Sequence, residues 1–439
     1  MKKPPHPARR LLLATLATLQ TLTLLAGLAA PGARAEVTVS NLTVAQTPGT
    51  KQVVISYDVA NTATSAVSVS LTVKNGATLI PTPSLTGDVG ASVQTGSRRT
   101  IVWNGGADAD GQLLQNVEVA VNAVSAAALA STYLVIDLSG GTAATSYPVS
   151  YLSAVPAGGW TAEHKTTKLV LRRIPAGTFT MGGRSTDYPG ATDDGLHEVT
   201  LTKDFYLGVF EVTQRQWELV MGNKPSYFNN ATYYAARPVE QVSYYDIREN
   251  PANSDDPASD WPTNSTVNAT SFMGKLRTKT GLASFDLPTE AQWEYACRAG
   301  RTTALNSGKN LTSTSTDANM AEVGRYFYNG GYVGGTTAPA QNCTTANGTA
   351  AAGAYLPNAW GLYDMHGNVF EWCLDWSGTY PSAVVIDPVG VTSGGSRVLR
   401  GASWIYDASY CRSAYRASDT PSVHSKYFGL RVCSAPPGQ

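Results

Sequence analysis

The sequence predicts an all-β sandwich followed by a mixed, loop-rich α+β domain, and three observations carry that reading. Residues 36–125 alternate β-branched with small polar residues in period two. From about residue 166 the texture changes to one dense in aromatics, Gly and Trp. Within that second region two helices open on capping boxes.

The chain begins with a segment that reads as a leader. Lys2, Lys3, Arg9 and Arg10 form a basic start, an apolar stretch runs from Leu11 to Ala30, and Ala33-Arg34-Ala35 has a small-x-small cleavage pattern. Residues 1–35 are therefore predicted to be a signal peptide, which makes the protein secreted, periplasmic or cell-surface. The apolar stretch carries Thr and Gln and meets the cleavage pattern at once, so no transmembrane span is predicted. No cysteine follows it, which argues against a lipid anchor. The leader holds five of the 32 Lys+Arg and none of the 32 Asp+Glu, so the mature chain carries 27 − 32 = −5. No basic run stands out, which excludes nucleic acid as the expected partner.

Segments such as "KQVVISYDV", "AVSVSLTV" and "RTIVWNGG", separated by turn-rich pieces such as "KNGAT" and "NGGADADG", predict a small sandwich over 36–125. The spacing fits an immunoglobulin- or fibronectin-like module. It has no Cys, no His and no cluster of acids, so a spacer or adhesion role is favoured over catalysis. An Ala/Ser/Gly-rich stretch, 126–165, reads as a bridging segment to a second domain over 166–435. There Thr213-x-x-Gln216 and Thr289-x-x-Gln292 are capping boxes, with Gly222 and Gly300 as stops. In the second helix Trp293, Ala296 and Cys297 share one face, which predicts that Cys297 points into the core.

Several segments of this second domain resemble one family. They include "PAGTFTMGG" (175–183), "FEVTQRQWELVMGNKPSYF" (210–228), "DLPTEAQWEYACRAG" (286–300), "WGLYDMHGNVFEW" (360–372), "RVLRGASW" (397–404) and "YFGLRV" (427–432). In order and spacing they are similar to the formylglycine-generating enzyme, or sulfatase-modifying-factor, family. The resemblance implies an irregular α+β fold of the C-type-lectin-like superclass. It also implies an oxidase chemistry, in which copper held by two thiolates converts a sulfatase cysteine to formylglycine.

That chemistry is incomplete in this chain. Cys411 and Ser403 match family positions, but the first thiol position, five residues before Cys411, is Tyr406. Soft thiolates suit Cu(I), and a phenol with a pKa of about 10 is no substitute. Copper is therefore not expected. Nor is a His-ligated iron site, because His164, His197, His366 and His424 are scattered. The resemblance does imply structural calcium at Asp364, Gly367, Val369 and Glu371, an oxygen-donor set on a tight Gly turn. A second calcium site, at Asn319 and Met320, lacks an evident acidic partner downstream.

Five cysteines in an oxidising compartment leave at least one thiol unpaired or paired between chains. For Cys411 a disulfide is expected first, with Cys373 as its mate. An inert buried thiol comes second, and a nucleophile activated by Arg412 or Arg416 third. Cys297 and Cys433 form another expected bridge, and Cys343 is the expected free thiol. Around Cys411, the residues Tyr406, Asp407, Tyr410, Tyr415 and Arg416 have the Tyr-rich make-up of an adaptable binding surface. The sequence thus favours an exported non-oxidase that binds a peptide, protein or glycan at this segment. A divergent oxidase or other protein-modifying enzyme using Cys411, and an architectural cell-surface protein, are the alternatives.

Overall fold

The computed structural model describes residues 37–48, 50–61, 66–75, 78–80, 84–109, 117–125, 131–248, 267–330 and 339–436. The predicted leader lies outside the described residues. The chain divides into two compact units, Met1–Ala130 and Ser131–Pro437.

Among its described residues the first unit is all β, apart from a single helical turn at Gly105–Asp108. One sheet has the order β1 (Val37–Gln46), β2 (Gln52–Asn61), β7 (Gly96–Asn104), β5 (Leu85–Gly87). In the other, β3 (Ala66–Asn75) pairs with β4 (Thr78–Ile80), β6 (Gly90–Gln94) and β8 (Val117–Ser125). The period-two pattern is realised directly. Ile55, Tyr57 and Val59 of β2 and Val67, Val69, Leu71 and Val73 of β3 enter one core with Trp103, while the Ser and Thr between them face outward. Asp108 accepts from the Trp103 indole at 2.9 Å, so the turn at Gly105–Asp108 folds back onto the core.

The second unit is built on short strands joined by long irregular segments. Among the described residues its largest sheet runs β10 (Val149–Leu152), β9 (Tyr133–Asp137), β11 (Lys168–Ile174), β14 (Phe205–Gly208), β23 (Cys433–Ser434), β15 (Phe285–Asp286). The stretch read from sequence as a bridge therefore supplies two strands of this sheet. "YLVID" at 133–137 is a short apolar run buried on both faces, and its Ala- and Gly-rich flanks hide it from a periodicity argument.

Both predicted capping boxes form. Thr213 accepts from the Gln216 N–H and Thr289 from the Gln292 N–H, and each glutamine side chain returns the bond. Helix Gln214–Met221 stops at Gly222 with φ +86, as its left-handed cap requires. Helix Glu290–Arg298 is capped one residue earlier than expected, at Ala299 with φ +46. Every residue of that helix is buried, and Trp293, Ala296 and Cys297 sit in one core cluster.

A second four-stranded sheet positions the site: β21 (Arg416–Asp419), β20 (Arg397–Arg400), β18 (Phe370–Trp376), β22 (Phe428–Gly429). Strand β18 is buried throughout. Its Glu371 is matched inside the protein by Arg431 at 2.6 Å, and Arg400 of β20 pairs with Glu294 and Glu290 of helix Glu290–Arg298. Trp293 adjoins both pairs, donating its indole N–H to Glu371 and lying under Arg400 at 5.3 Å, and breaking either pair would leave a bare buried charge.

Candidate functional site

The site begins at the loop "DMHGN", which turns by three positive φ angles at Asp364 (57°), Gly367 (76°) and Asn368 (62°). A Cβ on Gly367 would lie 1.9 Å from the Arg325 carbonyl oxygen, so only glycine fits there. The loop is then tied on every side. Asn368 donates to Glu211 at 2.6 Å and accepts from the Ala350 N–H at 2.8 Å. The Nε2 of His366 accepts from the Asn306 N–H at 3.0 Å, so its Nδ1 carries the proton and donates to the Cys411 carbonyl at 2.7 Å. Burial pushes the His366 pKa down to about 4, which makes it a neutral clamp between the two motif loops.

This clamp fixes Cys411 but does not activate it. Cys411 is fully buried in an apolar cluster, and burial, with Asp407 nearby, drives its thiol far above the ordinary range. The two arginines that would have lowered it point elsewhere. Arg412 pairs with Asp187 and Arg416 with Glu290, both at 3.0 Å. Ser403 is likewise buried, and its hydroxyl has no hydrogen-bond partner.

The expected disulfides are not formed, and all five cysteines are free thiols. Cys373 and Cys411 belong to different core clusters. Cys297 leans on Ser413 at 3.5 Å, whereas Cys433 turns to Gln292 at 3.7 Å. Each thiol is thus spent as a small apolar filler. Burial raises Cys297 to about 12 and lifts Cys373 and Cys433 well above the usual thiol range. Cys343 is the half-exposed exception.

The residues expected to hold calcium offer less than the sequence implies. Asp364 is buried, accepts from the Gly353 N–H through Oδ2, and keeps Oδ1 without a partner. Both Glu371 oxygens, however, are engaged by Arg431, and one also takes the Trp293 indole N–H at 2.6 Å. Of the two carboxylates in the expected set, the oxygen without a partner is Oδ1 of Asp364. Asn319 and Met320 lie on a helical turn, where Asn319 donates to the Asn310 carbonyl and the Met320 N–H to Asp317.

What the structure assembles instead is an aromatic face. Tyr406 stands against Phe370 with ring centroids 5.1 Å apart, Tyr410 against Tyr406 at 5.5 Å, and Tyr415 against Tyr410 at 5.0 Å. Tyr410 is 41 % exposed and forms the crest, while half-buried Asp407 flanks it at the start of the short helix Ala408–Cys411. Arg416 leaves this face. It lies over the Tyr380 ring at 4.5 Å and donates to the Gly378 carbonyl. With Tyr415, Tyr380, Arg412 and Asp194 it borders a cavity of ≈ 550 Å3.

Asp194, Gly195 and Tyr380 were not legible as site residues. They lie about 190 residues apart along the chain, and only the pairing of β13 (Asp194–Leu201) with β19 (Val385–Ile386) brings their segments together. No local motif announces such a meeting.

The comparisons with known proteins agree with the motifs. The model of the "Sulfatase-modifying factor enzyme 1-like domain" matches residues 160–436. Chaperone protein LppX of Paenibacillus barcinonensis is 32 % identical over 248 residues, 53 % of this chain and 81 % of that protein. The formylglycine-generating enzyme of Thermomonospora curvata is 29 % identical over 297 residues, 60 % of this chain and 92 % of that one. Among solved structures, Treponema denticola variable protein 1 has a TM-score of 0.47 and 27 % identity, covering 63 % of this chain and 98 % of its own. No helix among the described residues is long and apolar enough to cross a membrane. By the match over 160–436, the chain belongs to the sulfatase-modifying factor enzyme 1-like family.

Proposed function

We propose that this family member is an exported binding protein that has lost the oxidase chemistry. It would hold a peptide, protein or glycan on the face made by Tyr406, Asp407, Tyr410 and Tyr415, with Arg416 at the adjoining cavity. The single observation behind this reading is the pair of positions 406 and 411. A phenol ring packs where the first thiol of the copper pair would be, and the remaining thiol is fully buried with its pKa driven up. A phenol is not a soft ligand, which leaves one thiol where the copper site needs two. The aromatic ladder beside them has large contact area and few rotatable bonds, as recognition surfaces do. The N-terminal all-β unit would serve as a spacer or adhesion module.

A Cys-Thr-Pro-Ser-Arg peptide incubated with the full chain, copper and oxygen provides the test. The expected result is an unmodified peptide in the mass spectrum, and the appearance of the formylglycine aldehyde would overturn the reading. The alternative of a divergent enzyme finds its motive in Ser403, whose buried hydroxyl has no partner beside Tyr406. Cys411→Ala separates the two, because an enzyme using the thiol loses turnover while a binding module keeps its ligand.

A further inference from the structure

We propose that the cavity between Tyr380 and Tyr415 is a saccharide subsite that takes a neutral sugar of one or two rings. This rests on the binding-protein reading above and names its ligand class. The cavity measures ≈ 550 Å3, inside the range of about 300–1,000 Å3 typical of small-molecule sites, so it suits a compact ligand.

Charge selects the class. Arg412 is matched from behind by Asp187 and Arg416 by Glu290, each at 3.0 Å, while exposed Asp194 adds a carboxylate at the rim. An anionic ligand would meet Asp194 and two guanidiniums already neutralised. A cationic one would meet the guanidiniums themselves. A hydroxyl both accepts and donates, so a neutral polyol can take guanidinium N–H groups and give its own proton to Asp194.

The donors are also fixed in advance. Arg412 lies over Tyr188 at 4.7 Å and donates to the Ser409 carbonyl at 2.7 Å. Arg416 lies over Tyr380 and donates to the Gly378 carbonyl. Rigid donors lose little side-chain freedom on binding. The Tyr415 ring supplies an apolar surface for the C–H face of a pyranose. The hollow persists because Gly183 and Gly195 carry no side chain. A Cβ would lie 3.4 Å from Arg412 Nη1 at the first and 2.4 Å from the Tyr380 ring at the second.

The test is a titration of the full chain with glucose, galactose, N-acetylglucosamine, cellobiose and lactose, read by saturation-transfer NMR and calorimetry. At least one neutral sugar is expected to bind with a Kd of about 1 mM or below. Glucosamine and N-acetylneuraminic acid should bind more weakly, because each adds a charge. Thr379→Trp places an indole at the exposed mouth and should raise the Kd about tenfold or more. Ala414→Trp, from inside the cavity, should do the same. Absence of binding by every neutral sugar would overturn the inference, as would binding that both variants leave unchanged. If a peptide or protein ligand still binds at the Tyr410 face in that case, the broader reading stands. If none does, both fail.

Discussion

The ring of Tyr406 stands edge-on to that of Phe370, with centroids 5.1 Å apart and planes at 82°. This geometry makes Tyr406 part of the packing as well as part of the binding face, since Phe370 belongs to the buried strand β18. Tyr406→Ala should therefore cost stability, roughly 2 kcal/mol from lost burial and the lost ring pair. Tyr406→Phe keeps the ring and should stay within about 0.5 kcal/mol of the parent. Urea denaturation midpoints at constant m-value measure both. A neutral Tyr406→Ala would show that the ring pair contributes nothing.

Thiol chemistry gives a second expectation. Four of the five cysteines are buried with thiols pushed up by desolvation, and Cys343 alone is half-exposed, with its Sγ 3.6 Å from an Arg237 nitrogen. Partial exposure leaves Cys343 the thiol that a reagent in solution can reach. Native protein prepared under reducing conditions should therefore titrate one thiol with a chromogenic disulfide, and unfolded protein five. Cys343→Ser should reduce the native count to zero. A native count above one would mean that a core cluster opens on the timescale of the assay.

Asp375 should contribute a fall in stability as pH rises through the acidic range. Burial, reinforced by the neighbouring Glu290 charge, raises its pKa to about 7 from the ordinary carboxyl value of 3.8. Between those values the unfolded chain has released the proton while the folded one still holds it. The folded state binds more protons there, so unfolding becomes easier with increasing pH. Asp375→Asn retains an acceptor for the Glu290 N–H, now 2.7 Å from Oδ2, and removes the titration. Its stability should decline less steeply over about pH 4–7, by up to one proton-equivalent. Parallel curves for parent and variant would remove Asp375 as the source.

How far the sequence could be read depended on the range of the signal. The two capping boxes and the alternation of β2 and β3 are local patterns, and they form as the spacing implies. The strands Tyr133–Asp137 and Val149–Leu152 were missed because a short buried strand has no alternation to reveal it. The disulfides were inferred from an oxidising compartment and from segments that flank one cleft in the resembled family, and neither says which thiols the core will bury. At the site, Tyr406 opposite Cys411 was visible as a substitution within a motif. The meeting of Asp194, Tyr380 and Arg416 was not, because it depends on a parallel pairing between strands far apart in the chain.

Calcium provides the last expectation, and it turns on Arg431. The guanidinium donates to both Glu371 oxygens and to the carbonyls of Gly208 and Tyr363, all inside a fully buried pocket. It already supplies the positive charge that an ion would bring to Glu371, and a cation would have to displace it at the cost of leaving a buried arginine unpaired, about 3–5 kcal/mol. The melting temperature of the parent protein should accordingly be the same in millimolar calcium and in chelator. Arg431→Met removes the resident cation, so it should lower the melting temperature and make it rise again with added calcium, through Asp364 and Glu371 together. A chelator-induced drop in the parent that Asp364→Asn abolishes would instead assign a structural ion to this loop.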